Sequence, residues 1–186
     1  MSHSIPSAAW SFALSQVGWF ACVLGAAHGW LWAGPLVVGF LAVLFVVRSG
    51  RPGRALLRLM AVAGFGLVTD SVLMACGALH FPDAVQMQPD LLGPPLWMLA
   101  LWVGFGTTLD GVLHALRTRL ITAALVGAIF GPMGYRAGVA LGAAELGSPS
   151  TWSLACVAVA WAAALPSLLR VDAALEGSTI HPSEPT

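Results

Sequence analysis

Six long apolar stretches, separated by short breaks rich in Gly and Pro, decide most of what this chain can become. Taking about 20 residues per bilayer crossing, they run near residues 8–29, 32–48, 54–79, 94–116, 119–143 and 150–169. Lipid offers no partner to backbone N–H and C=O groups, so each stretch is expected to be helical. No strand-like alternation suggests a β-barrel. Only 9% of the 186 residues are charged and 58% are hydrophobic, whereas a soluble domain carries roughly 25% charged residues. A water-facing surface cannot be built from so few charges. The expectation is an all-α, polytopic membrane helix bundle of six transmembrane helices. Residues 1–172 would form one domain, and the polar tail at 173–186 is expected to be disordered.

The breaks carry turn chemistry. Residues 49–53 read Ser-Gly-Arg-Pro-Gly, the link from His80 to Pro95 holds Pro82, Pro89, Pro94 and Pro95, and Gly147, Ser148 and Pro149 precede the last stretch. All eight basic residues are Arg. Arg48, Arg51, Arg54 and Arg58 flank one break, Arg117 and Arg119 another, and Arg170 follows the last stretch. Six crossings place all of these on one side, while the opposite loops hold Asp83, Asp90 and Glu145 without an Arg. The positive-inside rule makes the arginine side cytoplasmic, so both termini are expected in the cytoplasm of a bacterium, the chain being multi-pass in its inner membrane. Trp30, Trp32, Trp97 and Trp152 then fall near the outer boundary, as an aromatic belt would. No Lys or Arg precedes Arg48, so the basic region of a secretory signal is missing and residues 10–29 read as a retained first helix. A net charge of zero leaves no basic patch for nucleic acid. Cys22, Cys76 and Cys156 are odd in number, fit no zinc spacing, and read as small apolar packing residues. The sequence assigns no cofactor and no metal.

A charge at mid-membrane costs about 2.5–3.5 kcal/mol on insertion scales, so each needs a partner or a job. Thr107, Asp110, Gly111 and His114 recur at helical spacing on one face of the fourth stretch. They could form a proton relay, an acid–base pair or two ligands of a metal, or a polar seam holding helices together. In the third stretch Asp70 lies 16 residues beyond Arg54, and in the fifth Arg136 lies 17 beyond Arg119. Both are then roughly 24–26 Å along their helices, which predicts an Asp70–Arg136 ion pair with Tyr135 beside it. Snorkelling of Arg136 to the outer headgroups is the alternative. Gly127, Gly131, Gly134, Gly138 and Gly142 form a stripe suited to close helix packing, and Pro132 is expected to kink that helix; the alternative is a helix broken next to a substrate site, as in many transporters. Gln16 in the first stretch calls for an interhelical partner. No phosphate loop, nucleophile elbow or HExxH motif occurs.

Several segments resemble one known family in their order and spacing. They are Gln16 to Cys22, Thr69-Asp70-Ser71, Pro95 to Trp97 through Thr107-Thr108-Leu109, and Gly131, Pro132 and Tyr135 through Gly138 to Gly142. The family comprises small bacterial inner-membrane proteins known only as a domain of unknown function, and the resemblance covers about residues 16–145. Its genes often neighbour those of cyclopropane-fatty-acid-synthase-like methyltransferases and other lipid-modifying proteins. The resemblance therefore implies a lipid-related setting, and brings no activity or catalytic residue with it. The chain departs from the family after Thr108, where an Asn is expected near Asp110, while Asp70 and the Gly131 to Tyr135 run fit. Three functions follow as expectations. The first is an accessory or enzyme-like role in membrane lipid modification, with membrane lipid as partner and Asp70, Arg136 and Tyr135 as the first residues to test. The second is a small proton-coupled transporter using Asp110 and His114. The third is a structural subunit bound to other membrane proteins.

Overall fold

The computed structural model describes residues 8–86, 93–111 and 113–177. Among these residues six α-helices form: α1 (Ala8–Ala27), α2 (Ala33–Arg48), α3 (Pro52–Ala75), α4 (Leu96–Gly106), α5 (Leu120–Ala140) and α6 (Ser150–Gly177). Four of them, α1, α3, α5 and α6, are long and apolar enough to cross a membrane, and α2 and α4 are shorter apolar helices. Leu36, Phe40, Val47, Ile121 and Val159 are each more than 60% exposed. Helices apolar on every face are the mark of a chain solvated by lipid, and this is an integral membrane protein.

Two expected boundaries are corrected. The fourth stretch is helical for only 11 residues. After Gly104 and Gly106, the hydroxyls of Thr107 and Thr108 donate to the carbonyls of Gly104 and Phe105, each at 2.7 Å. Such side-chain bonds compete with the helical ladder, and the chain continues in turns to a 3-10 segment at His114–Leu116. At the other end of the chain, α6 runs on to Gly177, five residues into the segment expected as a tail. The rest of that tail, and Pro89 and Asp90 of the long link, lie outside the described residues. Pro132 sits inside α5, which stays one helix from Leu120 to Ala140.

The closest helix pair is α5 with α6; α1 pairs with α2, α4 lies against α1, α2 and α3, and α3 bridges to α6. A two-residue antiparallel pair, Leu79–His80 (β1) with Glu145–Leu146 (β2), ties the α3–α4 link to the α5–α6 link at one end. Glycines set the close approaches. Cys22, 0% exposed, packs directly on Gly34, and the ring of Trp102 covers Gly66. Gly127 and Gly131 lie beneath Trp161 of α6. Trp102 and Trp161 stack with centroids 4.8 Å apart, and Phe105 meets both edge-on.

A Cβ at Gly66 would fall inside the Trp102 ring, which is held on its other face by Trp161 and at its Nε1 by Asp70. Gly66→Ala is therefore expected to lower stability by about 1–3 kcal/mol through overpacking, although alanine is the better helix former. Thermal unfolding in detergent, compared with Gly64→Ala where a Cβ meets nothing within 4 Å, checks this.

Candidate functional site

The third helix turns Asp70 inward, where it is 0% exposed. A carboxylate in such a place must find donors, and two aromatic side chains supply them. Trp102 Nε1 of α4 donates to Oδ2 at 2.7 Å, and the Tyr135 hydroxyl of α5 donates to Oδ1. Gly66, one turn before Asp70, makes the room that lets Trp102 reach it. The expected Asp70–Arg136 ion pair does not form: Arg136 is exposed. Neighbouring residues on a helix point about 100° apart, so with Tyr135 facing Asp70, Arg136 is turned away. The depth expected for the contact was right to one residue, and the partner was wrong. Trp102 was not singled out in the sequence, though a glycine four residues before a buried Asp is a usable sign of a large side chain docking beside it.

Tyr135 and Trp102 also line a cavity of about 430 Å³, within the roughly 300–1,000 Å³ of small-molecule sites. It lies between α1 and α4 on one side and α5 and α6 on the other. Its α5 wall runs through Val126, Phe130, Gly134 and Gly138, 12 residues or about 18 Å of helix. The α1 wall runs from Phe12 to Val23. The space is thus a slot parallel to the helix axes, about as long as the roughly 15 Å hydrocarbon depth of one leaflet. It is walled mainly by apolar and aromatic side chains, and among the described residues no charged one lines it. Packing accounts for two of the five glycines in the stripe. Gly127 and Gly131 press on Trp161, whereas a Cβ at Gly134 or Gly138 would meet nothing within 4 Å. Gly142 has φ +87° and ends the helix.

Polar lining is confined to a few groups. Ser15, Gln16 and Thr108 sit at one end of the slot and Tyr135 toward the other. Ser15 and Thr108 donate to carbonyls of their own turns, Phe12 and Phe105. Gln16, expected to bond another helix, lines the slot and makes no hydrogen bond among the described residues.

The expected Thr107–Asp110–His114 face is not a helix face. Thr107 bonds Gly104, His114 is exposed, and Asp110 joins a charge network instead. Arg58 and Arg117 both bond Asp110, Asp172 and Glu176. Arg117 reaches Asp110 at 2.8 Å and Glu176 at 2.5 Å. Burial works against the Arg117 guanidinium, but Glu176 and Asp172 outweigh it and raise its pKa above the ordinary arginine value. Arg58 is 8% and Asp172 1% exposed, so the network staples the start of α3, the α4–α5 segment and the end of α6 in a partly desolvated place. The three carboxylates approach within 4.8 Å of one another, a spacing a cation could use, yet two guanidiniums already bond all three and offset two of their three charges. In the sequence Arg58 read only as an orientation signal. The i, i+4 pair Asp172 and Glu176, close to Arg170, was the available sign of more.

Neither a curated protein nor a solved structure matches the chain significantly. The family described as "Protein of unknown function (DUF2878)" matches residues 8–167, and the chain belongs to that family.

Proposed function

We propose that this protein holds the acyl chain of a membrane lipid in its intramembrane slot and serves membrane lipid modification, as an accessory or enzyme-like component. In this reading the chain crosses a bacterial inner membrane six times, with both termini cytoplasmic. The short α2 and α4 would cross where the bundle draws the bilayer thin, as short spans do. The observation that carries the reading is the slot itself. It is apolar, leaflet-long, uncharged, and set among helices that lipid surrounds. The helices α1 and α5 on its two sides do not pack as a pair, so a chain could enter from the bilayer between them. Glycine inside a helix is destabilising by roughly 0.5–1 kcal/mol relative to alanine. Gly134 and Gly138 have no packing neighbour to justify that, and keeping the slot open supplies a reason.

The test is lipid retained by the purified protein, identified by mass spectrometry. Gly134→Leu with Gly138→Leu would displace about four methylene groups at roughly 0.8 kcal/mol each, lowering chain affinity on the order of 100-fold. Both leucines also favour the helix by up to about 1 kcal/mol each, so the fold should survive. A variant that folds and keeps the wild-type lipid sinks the slot as a lipid site. An unchanged lipid profile in a deletion strain sinks the role in modification.

A further inference from the structure

The slot has a direction. The antiparallel course of α4 and α6 against α1 and α5 places its lining in levels. At one level are Gln16 on α1, Thr108 and Leu113 after α4, Val126 on α5 and Leu165 on α6. A Cβ at Gly111 would lie 3.5 Å from Ser11, which confirms that the start of α1 and the end of the α4 segment share this level. At the far level are Val23, Trp97, Gly138 and Ala144. That end is closed by Phe81 and Trp97, packed edge to face at 5.6 Å, and among the described residues it presents no side-chain polar group except the indole N–H of Trp97, which is bonded to the Val85 carbonyl. Polar capacity is therefore concentrated at the Gln16 end. Tyr135, between the levels, has its hydroxyl proton committed to Asp70.

The indole N–H of Trp161, buried in the slot wall, has no hydrogen-bond partner among the described residues, and at the polar end the unspent group is Gln16. Its amide has one acceptor and two donors, faces an apolar slot, and bonds nothing among the described residues. The amide is half-buried, so a ligand that supplies an oxygen there gains a bond the empty protein lacks. The chemistry of that oxygen is limited as well. Among the described residues no cation lines the slot, and Arg58 on α3 and Arg117 before α5 are both bonded to carboxylates. A phosphate has no counter-charge inside. An uncharged ester carbonyl or hydroxyl at the root of an acyl chain does fit.

Building on the lipid reading above, we infer that the slot takes its acyl lipid in one orientation, with the ester oxygen at Gln16 and the chain running past Gly134 and Gly138 toward Trp97. The ligand class is an acyl ester whose charged headgroup, if it has one, stays outside the slot on the side of the charge network.

Two photoreactive phosphatidylethanolamines test this on the full chain in lipid nanodiscs, one carrying a diazirine beside the ester and the other at the chain terminus. The ester-side probe is expected to label Gln16, Thr108 and their neighbours, and the terminal probe to label Trp97, Phe81 and Gly138. Gln16→Leu should lower ester-side labelling about five-fold, the effect of one neutral hydrogen bond, and leave the terminal probe's pattern in place. Labelling inside the slot with the two patterns exchanged or mixed overturns the orientation alone. Labelling confined to outward-facing residues such as Phe40 and Ile129 overturns the lipid site and the orientation together.

Discussion

Replacing Arg58 by leucine is expected to cost the fold about 3–5 kcal/mol, the loss typical of breaking a buried ion pair and leaving its partner charged. The exposed partner that could relax is not the one that matters. Asp110 and Glu176 have side chains 40% and 44% exposed and can turn to water, but the Asp172 side chain is 1% exposed and would be left against apolar helix faces. Arg117 still bonds Asp172 in such a variant, which places the effect toward the lower bound. Removing both charges, Arg58→Leu with Asp172→Leu, should recover part of the loss, since an apolar pair in a buried ion-pair site is often neutral or better. Unfolding midpoints in detergent for the two single variants and the double give the coupling directly. Additive losses would mean that the two side chains do not act on each other and that the network is a solvated rim.

The second large effect is expected at Asp70. Asp70→Ala removes the acceptor of two buried donors, Trp102 Nε1 and the Tyr135 hydroxyl, and each donor left unpaired costs about 1–3 kcal/mol. A total near 3 kcal/mol follows, with the added consequence that α5, which otherwise leans chiefly on α6, loses its direct tie to α3. Asp70→Asn keeps one carbonyl acceptor and should fall between the wild type and alanine. Arg136→Ala is expected to stay within about 0.5 kcal/mol, as exposed substitutions do. The same unfolding assay decides between the two accounts of Asp70. If Arg136→Ala were as damaging as Asp70→Ala, and the charge swap of the two rescued the protein, the ion pair expected from depth alone would be restored and the Tyr135 bond displaced.

How much of this was legible in the residues differs from element to element. The apolar stretches showed the helices because span length and lack of charge are local properties, readable without knowing any neighbour. Depth along a helix is nearly as local, being a residue count times a fixed rise, which is why Asp70 was placed level with residues 135 and 136. Rotation is not local. One residue shifts a side chain by about 100°, and on α5 that separates Tyr135, facing Asp70, from Arg136, facing out. The α4 segment shows the same limit from another direction. Thr107, Asp110 and His114 have helical spacing, but the hydroxyls of Thr107 and Thr108 offered the backbone a competing bond, and the face dissolved into turns.

The glycine stripe divides what each level of description could decide. Its residues share a narrow angular strip by sequence alone, and a packing role was the natural reading. Only the placement of α6 showed that Gly127 and Gly131 meet Trp161 while Gly134 and Gly138 meet empty space. The sequence by itself determined a lipid-solvated helical protein, because transfer into a bilayer depends on composition summed over each segment. The tertiary structure alone decided which polar groups met, that a slot lies between the two halves, and that Arg58 is a structural charge, because those outcomes depend on the relative rotation and spacing of helices far apart in the chain.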